Sequence, residues 1–135
     1  MITEDLKNRS TIKQFQFELH SWIRLVEFLN QENTFLKTRL SEVIDQIKDK
    51  ESLALAEHFQ NQFIVKDDIY DHIIHDLKKQ LHKWTEIKLI SSKEISEDLA
   101  KTQKNQRDQI EFIDRDHALI TKDYNTYLAS LSIDD

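Results

Sequence analysis

The chain contains no glycine and no proline, and no other feature narrows its fold as much. Glycine supplies the left-handed backbone of tight turns and helix ends, while proline stops helices and opens loops. Without either, a chain has few ways to reverse sharply, so long elements joined by few turns are expected. The same absence removes several chemistries. Phosphate-cradling loops, dinucleotide fingerprints and nucleophile elbows all need glycine where a Cβ would clash. Cysteine is absent as well, which removes thiol nucleophiles, disulfides and thiolate metal sites.

Residues 12–47 form the stretch around which the rest is organised. Ile12, Phe15, Leu19, Trp22, Val26, Leu29, Asn33, Leu36, Leu40, Val43 and Ile47 follow one another at alternating three- and four-residue steps. A strand would alternate at every second residue, whereas this spacing keeps one seam on one side of a helix. Such a seam calls for helical partners along its length. A second series runs through Leu55, Phe59, Phe63, Lys66, Tyr70, Ile73, Leu77, Leu81 and Trp84. The third follows Ile95, Leu99, Thr102, Gln106, Ile110, Ile113, His117, Ile120, Tyr124, Tyr127 and Leu131, with a change of phase between Thr102 and Ile110 that reads as a stutter.

These series predict an all-α fold: one antiparallel up-down-up bundle of three long, coiled-coil-like helices over residues 3–49, 53–90 and 93–131. The rod would be about 55 to 60 Å long at the helical rise. Thr3 or Ser10, then Ser52, then Ser91 with Glu94 as a capping box, are the expected starts. Asp67 or Asp68 could cap a new helix and split the second one, which would make four. Residues 132–135 are expected to fray.

The 135 residues suit one domain, and 39% hydrophobic with 33% charged content suits amphipathic helices with solvated outer faces. A net charge of −6 argues against nucleic acid as the main partner. Neither a secretory signal nor an apolar run long enough for a membrane span is legible, so a soluble cytoplasmic protein is expected. No cofactor is called for.

Folding the helices on their turns predicts levels. Asn33 should meet Tyr70 and Asp114, Leu36 should meet Lys66 and His117, and Trp22 should lie near Gln80 and Gln103. Asn33, Tyr70, Asp114 and His117 then read as a buried polar layer that sets register. The competing reading is a metal site built from Glu32, Asp71, Asp114 and His117, because Asp114 and His117 have the three-residue spacing of carboxylate-bridged metal helices. A di-iron site needs that motif twice and it occurs once. His72 and His75, with Asp68 and Asp71, are expected on a solvated shoulder. Tyr70, Lys66 and His117 offer an acid-base set, but a straight rod has few clefts, and no enzyme is expected. Arg24, Lys78, Lys79, His82, Lys83, Lys101, Lys104 and Arg107 gather toward one end and read as solvated surface.

The first helix is apolar around more than half its circumference between Phe15 and Leu29, and residues 100–109 of the third helix offer it a polar face. One partner helix cannot bury so wide a surface. Phe15, Leu19, Trp22, Ile23, Val26 and Phe28 are therefore the expected interface with a second copy or another protein. The function expected from the sequence is a structural or protein-interaction module that self-associates through this aromatic half, with the metal-binding bundle as the alternative.

Glu18-Leu19-His20-Ser21-Trp22-Ile23, with Val26 and Glu27, resembles part of the first helix of spectrin-type repeats, and Leu81-His82-Lys83-Trp84 is similar to part of their last helix. The two tryptophans depart from that family in order and spacing. The likeness reflects shared three-helix packing and implies no scaffolding role.

Overall fold

The computed structural model describes the backbone of residues 2–87 and 93–131 and the side chains of 9–87 and 96–131. Three α-helices follow in order: α1 Ile2–Ile44, α2 Lys50–Glu86 and α3 Lys93–Ser130. There is no strand among the described residues. The three helices pack as a bundle, α1 and α2 closely along their lengths and α3 at fewer points.

The first turn is where a chain without glycine has to improvise. No described residue has a positive φ, so the left-handed cap that commonly ends helices is not used. Instead the last turn tightens: Gln46 N–H donates to Val43 O at 3.0 Å and Ile47 N–H to Ile44 O at 3.2 Å. No basic residue occupies the last turn of α1, and Asp45 beyond it stands at the negative end of the helix dipole, which disfavours continuation. Asp49 then takes an extended conformation as N-cap and accepts from Ser52 N–H at 3.0 Å. The expected cap at Ser52 is thus corrected. Ser52 is the third helical residue, and its hydroxyl also bonds the Asp49 carboxylate at 3.0 Å.

Moving the turn to 45–49 slides α2 relative to the expected register. Asn33 lies opposite Phe63 and Asp67, one turn from Tyr70. On α3 the slip is also one turn, since Glu32 reaches His117 and Trp22 lies against Arg107. Gln103 therefore serves Phe15 and Glu18 rather than Trp22.

α2 is continuous across Asp67 and Asp68. Asp67 does not turn back on its own backbone; it accepts from Asn33 at 2.7 Å and pairs with Lys37. α1 begins at Ile2, ahead of Thr3 and Ser10, so Ser10 is interior and caps nothing. Ser91, Ser92, the Glu94 side chain and residues 132–135 lie outside the described residues. α2 ends at Glu86, and the N–H of its C-cap Ile87 bonds Lys83 O at 3.1 Å.

Burial follows Leu99, Gln103, Gln106, Ile110, Ile113, His117, Tyr124 and Tyr127 along α3. Those steps stay in one heptad phase, so the stutter is not there: Thr102 is exposed and Gln103 takes the seam. The core falls into two clusters. One gathers Leu19, Ile23, Val26, Leu29, Tyr70, Ile73, Leu77, Trp84, Leu99, Ile110 and Ile113. The other gathers Leu36, Leu40, Ala56, Phe59, Phe63, Tyr124 and Tyr127. Between them lies a polar layer.

Candidate functional site

The polar layer is built from all three helices. The buried Asn33 donates through Nδ2 to Phe63 O at 2.8 Å and to Asp67. Its Oδ1 has no partner, an arrangement that costs stability and favours one register over others. Lys66, whose stem is buried in the α2 seam, pairs with Asp116 at the α2–α3 edge. On the remaining side Tyr70 Oη and His117 Nδ1 are 3.1 Å apart, and His117 Nε2 lies 3.4 Å from Glu32 Oε1. Burial, reinforced by Asp116, Glu32 and Asp114, raises the Tyr70 hydroxyl far above the ordinary phenol value. It therefore stays neutral and serves as a hydrogen-bonding partner, not as a base at moderate pH.

Of the four expected layer residues, Tyr70 and His117 meet. Asn33 is buried but bonds on the α1–α2 side, and Asp114 is exposed on the rim of a groove between α1 and α3. The four-residue metal set is divided as well. Glu32, Asp114 and His117 line that groove, whereas Asp71 faces α1 from the other side, where it accepts from Asn30 at 3.3 Å. Among the described residues no group of three or more His, Asp and Glu side chains stands close enough to hold a metal ion. His72 and His75 are exposed, and His72 Nδ1 lies 2.9 Å from Asp68 O on its own helix.

The six expected interface residues divide too. Leu19, Ile23 and Val26 are buried inside the bundle. Phe15 is half-buried and stacks on Trp84 with ring centroids 4.8 Å apart. Trp22 is half-buried beneath the Arg107 guanidinium, 5.7 Å from its ring centre. Only Phe28 remains largely in solvent.

The cover comes from polar residues. Buried Gln103 accepts from Trp84 Nε1 at 2.7 Å and from Gln80 at 3.4 Å, and donates to Phe15 O at 3.0 Å and Glu18 at 2.9 Å. Gln80 also donates to Leu99 O at 2.8 Å. A glutamine with its amide satisfied can lie over apolar surface because its hydrogen bonds offset the cost of desolvation. Arg107 closes the same edge with a bidentate pair to Glu18 at 2.9 and 2.7 Å, which raises the guanidinium further above its ordinary value. The remaining cations of that end, Arg24, Lys78, Lys79, His82, Lys83, Lys101 and Lys104, are exposed.

Besides apolar side chains on α2 and α3 such as Val65, Phe112 and Leu119, the bundle leaves in water a line of phenylalanines on the outer side of α1. Phe17, Phe28 and Phe35 are 70%, 56% and 66% exposed. At 3.6 residues per turn their spacings bring all three to one stripe, opposite the buried seam. Phe28 is also a wall of the α1–α3 groove, about 690 Å³, whose floor on α3 is made by small residues such as Ala118, Thr121 and Ala129. The missed signal was Phe17 and Phe35 lying half a turn out of phase with the seam. Among the described residues no helix is long and apolar enough to cross a membrane. Compared with known protein families, curated proteins and solved structures, the chain matches none.

Proposed function

We propose that this chain is a structural or protein-interaction helical module that self-associates through the aromatic side of α1, using the outward residues Phe17, Phe28 and Phe35. The observation that carries the reading is their shared stripe combined with their exposure. Isolated exposed apolar side chains are ordinary, but three phenylalanines aligned on one helix face form a surface whose burial is favourable. The buried residues Leu19, Ile23 and Val26 support that face from beneath by holding α1 rigid in the bundle, and a rigid helix loses little conformational freedom on docking.

Sedimentation of the purified chain over a range of concentrations tests this. The expected result is a reversible dimer or higher oligomer that becomes monomeric in the combined variant Phe17→Ser, Phe28→Ser, Phe35→Ser with helicity unchanged. A strict monomer at high concentration removes the reading.

A further inference from the structure

The outer stripe of α1 carries Phe17 and Phe35 at equal distances from its middle. Its central positions are Ser10, Phe17, Arg24, Phe28, Phe35 and Glu42, and their spacings are symmetric about the level of Val26. We propose, resting on the self-association reading above, that the partner is a second copy whose α1 lies antiparallel on this stripe about a two-fold axis at that level. Phe17 of one copy then meets Phe35 of the other at both ends of the contact, and Arg24 meets Phe28 on either side of the axis.

Three features select this arrangement. A two-fold interface must be self-complementary, each residue facing the one that faces it in return, and Phe17 with Phe35 at the ends and Arg24 with Phe28 beside the axis meet that requirement. Charge decides the direction. A parallel pairing in register would set Arg24 against Arg24, whereas the antiparallel one lays each exposed guanidinium over a phenylalanine face and beside the opposite Glu27. A shift of one heptad one way pairs no rings, and the other way pairs Phe17 with Phe28 but sets Phe35 opposite Ser10. In the proposed register the phenylalanine without a ring opposite it, Phe28, meets the Arg24 guanidinium. Area is the third feature. Six phenylalanine rings at these exposures supply about 600 to 800 Å² of apolar surface, and the flanking rows raise the total to about 1,000 Å², the lower end of what specific interfaces bury. The dimer is accordingly one of modest affinity.

The natural absence of cysteine makes a direct test available. His20 and Gln31 are exposed and lie on the same flank of the stripe, at levels that coincide across the proposed axis. His20→Cys and Gln31→Cys variants, oxidised separately and as a mixture, should give a disulfide-linked dimer in the mixture and little with either alone. Abundant self-crosslinking of each single variant would establish a parallel pairing and overturn the proposal while leaving self-association standing. A dimer in sedimentation with no crosslink in any sample would place the contact elsewhere and overturn it too. Monomeric sedimentation of the unaltered chain would instead remove the reading beneath it. Arg24→Ala gives an independent sign: dimerisation should weaken about 3- to 5-fold through loss of the ring contact, whereas relief of a parallel Arg24 pair would strengthen it.

Discussion

The two ends of the bundle fill the same space by different means. Where α1 turns into α2, the room beside α3 is taken by rings: Phe63 meets Tyr124 edge-on at 5.2 Å, and Phe59 lies 5.5 Å from Tyr124 and 5.3 Å from Tyr127. At the opposite end Gln80, Trp84 and Gln103 occupy it with a hydrogen-bonded network that reaches Glu18 and Arg107. Rings pack with little demand on direction. Amides need every donor and acceptor aimed. Each end leaves a buried group unpartnered, the Tyr124 hydroxyl in one and Gln106 Oε1 in the other, but at the amide end Gln103 uses both donors and accepts two bonds. One end supplies adhesive area, and the other supplies registration.

Alkali should separate the ends most strongly. Burial raises all three tyrosines above their ordinary value of 10.0. Their neutral forms therefore contribute stability in full below that pH, and the contribution is lost as pH climbs through the folded-state values. Each tyrosine can remove up to about 1.4 kcal/mol per pH unit in that window. Two of the three belong to the aromatic end. Hydrogen exchange in rising alkali should show residues 52–63 and 120–130 opening before residues 77–84 and 99–107, and tyrosinate absorbance should rise together with the loss of helicity. Absorbance that rises at the ordinary phenol value in an intact bundle would break the comparison.

Phe63→Ala comes next. Removing a fully buried ring from the centre of the aromatic cluster should cost about 3 to 5 kcal/mol in denaturant unfolding. A loss below about 1 kcal/mol would mean the cluster collapses into the space and is not rigidly packed. Gln103→Leu should cost less, about 1 to 3 kcal/mol, because it leaves Trp84 Nε1–H and the Gln80 amide short of an acceptor while roughly preserving volume. If that variant is instead more stable than the natural chain, the amide network is an expense tolerated for register, as buried polar groups in other helical assemblies are.

Much of the fold was legible because helical periodicity is a local signal. The seam of α1 from Ile12 to Val43 is that of the sequence reading, and Asp67 did not break α2. The levels were not legible, because they depend on where the first turn falls. Asp49 caps α2 three residues earlier than Ser52 would have, and that small change moved Asn33 from Tyr70 to Asp67. The false stutter in α3 has a related cause. Gln103 looks like surface when ranked by hydropathy, yet keeping strict heptad phase from Leu99 to Ile110 would have placed it in the seam.

The candidate site shows the same division. The surplus of apolar residues on α1 was readable as a quantity, and its location was not. Leu19, Ile23 and Val26 are covered from within and Phe15 and Trp22 partly so, while Phe17, Phe28 and Phe35, opposite the seam, carry the exposure of α1.

By itself the sequence determined that this chain would be helical and that its helices would be long, because the spacing of apolar residues and the absence of glycine and proline act on each turn of backbone alone. Which residues share a level, and which phenylalanines stay in water, was decided only in the tertiary structure. Those outcomes depend on the lateral fit of α3 and on buried amides finding partners more than eighty residues away, as Gln103 does at Phe15. A hydrogen bond between distant helices leaves no periodic trace along the chain.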